Sequence, residues 1–147
     1  MSFELRVKRL SPSAVLPAYQ SAGAAGIDLH ADCDGPYILG QSVTGRRVHR
    51  IPTGLAFEIP DGFVGLVTGR SGLSSKGLIV ELGKLDSDYR GPVSVMVWVQ
   101  SGAHTIHPGD RIAQLVVIPC PRLSIVEADE LSETARNAAG FGSTGSR

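Results

Sequence analysis

Short apolar runs separated by glycine and proline set the pattern of this chain. In "TGLAFEIP" (53–60), Leu55, Phe57 and Ile59 take every second position, and in "VSVMVWVQ" (93–100) Val93, Val95, Val97 and Val99 do the same. A period of two puts one set of side chains on one face of a strand. Comparable β-rich runs are "GFVGLVTG" (62–69), "GLIVEL" (77–82), "RIAQLVVIP" (111–119) and "RLSIVE" (122–127). "MSFELRVKRL" also opens as a strand, with Phe3, Leu5 and Val7 alternating against Glu4, Arg6 and Lys8. With Met96 and Trp98 on its second face, the 93–100 strand is expected to be buried on both sides. No segment sustains a helical period beyond about two turns. The best short helix candidates are "SGLSSKG" (71–77) and "EADELSE" (127–133). Eighteen glycines and nine prolines supply the turns that many short strands need. The pattern predicts an all-β fold, a jelly-roll-like β-barrel or sandwich.

After about Glu133 the apolar pattern stops. "TARNAAGFGSTGSR" (134–147) holds one large apolar residue, Phe141, among small and polar ones and two arginines. The expected division is a β-barrel domain over 1–132 and a flexible C-terminal arm over 133–147.

Composition narrows the function classes. The chain has 147 residues, 42% of them hydrophobic, enough for one domain with a real core. Lys plus Arg equals Asp plus Glu at 14 each, so nothing in the charge supports a nucleic-acid or membrane partner, and any anion affinity must be local. Cys33 and Cys120 are far apart, with no metal-like spacing, which fits a reducing cytoplasm. No signal peptide or membrane-length apolar run is visible.

Five stretches carry chemistry. "GKLDSDYRGP" (83–92) crowds Asp86, Asp88, Tyr89 and Arg90 onto the entrance of the 93–100 strand. Alone, such residues are commonest as a charged turn. "TGRSGLSSKG" (68–77) places Arg70 and Ser71 before a glycine and a possible helical turn, so a cation, a hydroxyl and N–H donors can converge on an anion. A capped helix with a surface arginine is the plainer alternative. "HPGDRIAQL" (107–115) is a turn into a strand, where Asp110 and Arg111 are expected to pair and Gln114 faces inward or outward. "GAAGIDLHA" (23–31) sets Asp28 in an apolar strand, where a lone carboxylate more often answers an arginine than acts chemically. "GFGSTG" (140–145) matches G-x-G-x-x-G, but a dinucleotide loop needs a strand before it and a helix after it, and neither is present. What remains is small residues whose backbone N–H groups can wrap an anion, including Gly142 and Ser143, with Arg136 and Phe141 beside them. His30, His49, His104 and His107 show no metal-site spacing.

"AGIDL", "GRSGL", "GKLDSDYRG", "GDRIAQL" and "RNAAGFGSTG" run in this order across nearly the whole chain. That order closely resembles the homotrimeric dUTPase family, the deoxyuridine triphosphate nucleotidohydrolases, and implies their barrel (β-clip) fold. By that resemblance, Asp86 would be the general base that deprotonates the attacking water, and Tyr89 would lie against the deoxyribose. Arg70, Ser71 and Gly72 would contact the phosphates, with Gln114 nearby. Arg136 would clamp the terminal phosphates, while Phe141, with Gly142 and Ser143, would cover the uracil as the arm closes. Mg²⁺ would be held by triphosphate oxygens and water rather than by a protein ligand, with Asp28 behind its water shell. The resemblance further implies a homotrimer with shared sites, and water attack on the α-phosphorus of dUTP to give dUMP and pyrophosphate. That reaction limits uracil in DNA and supplies dUMP for dTMP synthesis.

Three departures stand out. Gly69 takes the place of the family's usual proline. The usual Arg-Gly-x-Gly-Gly of the arm reads Arg136-Asn137-Ala138-Ala139-Gly140. The hairpin from Gly77 to Asp86 is about two residues short and lacks the asparagine that ordinarily contacts uracil. Base reading is therefore expected from the backbone of Gly83, Lys84 and Leu85. Three other readings compete: a deoxycytidine triphosphate deaminase, a protein-binding regulator on the dUTPase fold with weak or altered nucleotide specificity, and a structural jelly-roll subunit. The first needs a catalytic glutamate in the 83–92 stretch, and the others do not need Asp86, Tyr89, Arg136 and Phe141 together.

Overall fold

In the computed structural model, which describes residues 3–40 and 47–138, the chain builds two four-stranded antiparallel sheets and a two-stranded ribbon. The first sheet has the order β1-β4-β8-β6, formed by Arg6–Arg9, His49–Glu58, Val93–Val99 and Leu78–Val80. The second has the order β2-β10-β5-β7, formed by Ile27–His30, Arg111–Pro119, Phe63–Thr68 and Gly83–Leu85. Strands β3 (Tyr37–Gly40) and β9 (Ala103–Ile106) make the ribbon, and one short helix, α1 (Ser71–Ser74), follows β5.

Alternation explains the core. Leu55, Phe57 and Ile59 are buried, as are Val93, Val95 and Val97, and they join Leu29, Leu39, Ile112 and Leu115 in one cluster drawn from all three sheets. The second face of β8 departs from the expectation, because Met96 is exposed and Ser94 and Trp98 are half-buried. That face opens onto a cavity. In β4 the ladder to β8 slips between Pro52 and Leu55. The buried Thr53 hydroxyl fills the gap by donating to the Val93 carbonyl at 2.7 Å. Gly54 sits there at φ 65°, a left-handed conformation that costs glycine little. Any side chain at Gly54 would also run into the Asp32 carboxylate, which two serines (Ser11 and Ser13) hold at 2.6 Å each.

Two expected elements do not form. "RLSIVE" is no strand: Leu123 and Ile125 are 83% and 96% exposed. β10 is already flanked by β2 and β5, so the chain leaves the sheet at Pro119 without a new partner. "EADELSE" forms no helix, and residues 118–138 are exposed throughout. The 77–86 stretch is also not a hairpin. Its strands β6 and β7 enter different sheets, joined by Glu81 and Leu82 alone. "SGLSSKG" does turn helical, for one turn only.

Candidate active site: two cavities on one sheet

The second sheet carries both chemical centres. At one end, β10 sits between β2 and β5, and its register puts Gln114 directly opposite Asp28 on one side and Thr68 on the other. Directly opposed residues share a face, so Asp28 and Gln114 are neighbours, with Arg70 two residues beyond Thr68. Asp28 is 6% exposed and answers two arginines. Its Oδ1 lies 3.4 Å from Arg70 Nε, and its Oδ2 lies 3.4 Å from Arg111 Nη1. Arg70 also donates to the Arg111 carbonyl at 3.0 Å, and Gln114 donates its amide to the Gly69 carbonyl at 3.2 Å. Arg111 therefore pairs with Asp28 rather than with its neighbour Asp110, which instead accepts the His107 N–H at 2.8 Å. The turn that Asp110 closes delivers Arg111 to the sheet.

A cavity of about 450 Å³ opens over this cluster, lined by Arg70, Ser71, Gly72, Lys76, Arg111 and Gln114 among others. Arg70 is extended, at φ −102° and ψ 131°, and α1 starts immediately after it. The first N–H groups of a helix have no partner within it, so those of Ser71 and Gly72 are donors to whatever fills the cavity. Cations and N–H donors around one space suit a polyanion. Lys76 and Gln20 also line it, and neither lies in a sequence motif that marks it for this place. Lys76 ends the "SGLSSK" run, and its place on the cavity follows from α1 being one turn long.

The second cavity, about 370 Å³, lies at the opposite edge of the same sheet and shares no lining residue with the first. Gly83, Lys84, Leu85, Asp86 and Tyr89 line it, with Arg50, Ser94 and Met96 from the first sheet. Among the described residues β7 pairs only with β5, through Gly65↔Leu85 and Val67↔Gly83, so it is an edge strand there, with outward N–H and C=O groups. Directly after it, the chain turns: the Tyr89 N–H donates to the Asp86 carbonyl at 3.1 Å. The Tyr89 hydroxyl donates to the Pro92 carbonyl at 3.1 Å, folding the ring back over Gly91. A side chain at Gly91 would collide with that ring. Asp86 and Tyr89 are both exposed to the cavity. Arg50 carries no sequence signal for this place, and Met96, expected to be buried on the second face of β8, is instead exposed to the cavity.

Arg136 is exposed at the far end of the described residues. Phe141, Gly142 and Ser143 lie outside them. His30, next to the Asp28 cluster, has its pKa lowered, chiefly because burial disfavours the charged ring; Arg111 and Arg70 add to the shift and Asp28 opposes it. A site for Mg²⁺ must fit the donors present. Among the described residues no group of three or more His, Cys, Asp and Glu can hold an ion. Asp28 gives each guanidinium one oxygen and keeps lone pairs for water, which fits a hydrated ion carried in by a triphosphate.

A sequence model of the dUTPase family matches residues 13–145. A deoxyuridine 5'-triphosphate nucleotidohydrolase of Rhizobium johnstonii is 48% identical over 136 residues, covering 88% of this chain and 85% of that protein. One from Syntrophotalea carbinolica is 42% identical over 146 residues, covering 96% of each. Among solved structures, the dUTPase of Staphylococcus bacteriophage 80alpha with dUPNHPP superposes with a TM-score of 0.87 at 30% identity, covering 98% of this chain and 99% of that one. A dUTPase variant from phage phi11 of S. aureus, described for its coordination of a structural Mg(II) ion, superposes with a TM-score of 0.76 at 28% identity, covering 87% of this chain and 98% of that one. On two cavities of complementary chemistry, a jelly-roll-like barrel and these likenesses, the chain belongs to the dUTPase family.

Proposed function

We propose that this chain hydrolyses dUTP to dUMP and pyrophosphate by dividing the substrate between the two cavities. The observation that carries the proposal is the turn after β7, where Asp86 and Tyr89 face one cavity beside an edge of unpaired backbone. Asp86 takes a proton from the water that attacks the α-phosphorus. Its turn fixes the carboxylate against the substrate, and geometry of that kind can supply much of a barrier reduction. The Tyr89 ring, folded over Gly91, lies against the deoxyribose and leaves no room for a 2′-hydroxyl. The β7 edge at Gly83, Lys84 and Leu85 reads uracil. A fixed acceptor facing the uracil N3–H mismatches cytosine, and unmatched buried polar groups cost about 1–3 kcal/mol each.

The phosphates belong to the first cavity, where Arg70, the Ser71 and Gly72 N–H groups and Gln114 offset charge as it develops. Arg136 and the residues Phe141, Gly142 and Ser143 complete the closure over phosphates and base. Mg²⁺ bound to the triphosphate would add charge neutralisation there, with Asp28 behind its water shell. The two cavities share no lining residue within one chain, and this separation supports a site completed where copies meet, in a homotrimer. In this reading the barrel domain runs to 132 and the arm from 133 closes over the site. Two free cysteines support a cytoplasmic setting, and no helix among the described residues is long and apolar enough to cross a membrane.

Steady-state pyrophosphate release from dUTP, dCTP, dTTP and UTP with Mg²⁺ tests this reading. The expected result is dUTP as the best substrate, with dCTP poorer by about 10–10³-fold in kcat/KM. Equal kcat/KM for dUTP and dCTP would show that the β7 edge does not read the base.

A further inference from the structure

Asp86 has no hydrogen-bond or ion-pair partner of its own for its carboxylate among the described residues. Its position therefore depends on the backbone of its turn. That backbone is held by Arg90, whose Nη1 donates to the Ser87 carbonyl at 2.6 Å and to the Tyr89 carbonyl at 3.1 Å. Arg90 is in turn tied to the barrel. Its Nη2 lies 4.0 Å from Glu58 Oε1, and the same oxygen lies 3.7 Å from Arg6 Nη1. Glu58 ends β4, directly opposite Arg6 of β1. One guanidinium thus links two carbonyls of the catalytic turn to a rigid sheet.

We propose that Arg90 is a positioning residue for the reaction, holding the Asp86–Tyr89 turn in the geometry that aims the Asp86 carboxylate at its water, with Glu58 holding Arg90. The inference rests on the reading of Asp86 as general base. The ion pairs themselves are exposed, and exposed pairs contribute little to stability. Their effect is on placement. A misplacement of about 1 Å can cost on the order of 10²-fold in rate.

The test compares Arg90→Ala, Arg90→Lys, Glu58→Gln, Asp86→Asn and the double variant Asp86→Asn with Arg90→Ala. The readouts are kcat and KM for dUTP and the Kd for dUMP. Arg90→Ala should lose about 10–10²-fold in kcat while dUMP affinity stays within about threefold. Millimolar guanidinium ion should restore part of the lost rate, and Arg90→Lys and Glu58→Gln should fall between Arg90→Ala and wild type. The double variant should be no slower than Asp86→Asn alone, since Arg90 acts through that carboxylate. An inactive Asp86→Asn beside an Arg90→Ala with normal kcat would overturn the brace alone. So would losses that multiply in the double variant, or no response to guanidinium. Near-normal turnover by Asp86→Asn would remove the general-base reading and the brace with it. Should Arg90→Ala fail to fold, Arg90→Lys and Glu58→Gln should still show a smaller kcat loss at unchanged dUMP affinity, and wild-type kcat in both would overturn the brace.

Discussion

The two cavities of the candidate site are built in opposite ways. The first is set by sheet register: Asp28 and Gln114 face each other across a ladder, and Arg70 and Arg111 close on Asp28 from two strands' ends. The second hangs on a turn outside the sheet, where Asp86 and Tyr89 are exposed and the backbone is held by bonds within residues 86–92. Charge recognition tolerates no drift of several cations at once, so a network shared by three strands suits it. A single carboxylate can be placed by a short turn, provided that the turn is tied down. The comparison makes separable predictions: changes at the turn should strike turnover, and changes at the ladder should strike both stability and substrate affinity.

The largest effect belongs to the turn. Asp86→Asn should lower kcat by about 10²–10⁴-fold while dUTP binding stays near wild type, because the amide keeps the shape but cannot take the proton. Calorimetric binding beside a turnover assay checks both halves. Turnover within a few-fold of wild type would move the base elsewhere.

Asp28→Ala should act on the ladder side. It leaves the partly buried guanidinium of Arg70 without its carboxylate, at a cost of about 1–3 kcal/mol in unfolding free energy. It should also raise KM more than it lowers kcat, as Arg70 loses its fixed direction. Denaturant unfolding and steady-state kinetics measure the two effects. A variant with wild-type stability and KM would show that the cluster positions nothing.

Gly91→Ala is a finer probe of the turn. The added methyl displaces the Tyr89 ring. Discrimination against UTP should fall by about tenfold, with a smaller change in kcat for dUTP. An unchanged dUTP-to-UTP ratio would separate Tyr89 from sugar selection.

The smallest effect concerns His30. Its folded pKa lies below the unfolded one because burial disfavours the imidazolium, so the unfolded chain binds the proton first as pH falls. The stability it contributes in the neutral form is present above the unfolded value of about 6.5 and declines as pH drops below it toward the folded pKa. Comparing wild type with His30→Gln between about pH 7.5 and 5.5 isolates this part. Parallel pH profiles for the two proteins would assign the acid loss to other groups.

Local pattern carried much of this in advance. Leu55, Phe57, Ile59 and the alternating valines of β8 declared their buried faces because a period of two is a property of neighbours in sequence. Asp28 in an apolar strand announced an arginine partner because a buried charge is costly unless it is paired. What escaped depends on distant residues. Arg111 sits next to Asp110 in the chain, yet in the β10–β2 ladder it lies opposite His30, two residues from Asp28, and its guanidinium reaches the Asp28 carboxylate. Leu123 and Ile125 alternate as a strand should, but no neighbouring strand takes them. The split of 77–86 between two sheets likewise turns on which strands β6 and β7 meet, β8 and β5 respectively. Arg50 and Lys76 reach their cavities only through folding, and no spacing marks them.

The central claim is that the two cavities are halves of one site contributed by different copies. Mixing tests it directly: Asp86→Asn and Arg70→Ala, each inactive alone, are refolded together in equal amounts and assayed for pyrophosphate release from dUTP. If each site takes its carboxylate from one chain and its Arg70 from another, about a quarter of the sites in random trimers carry both intact halves. The mixture should then recover about a quarter of wild-type activity. Activity no greater than that of the separate variants would place both halves in the same chain and contradict the account.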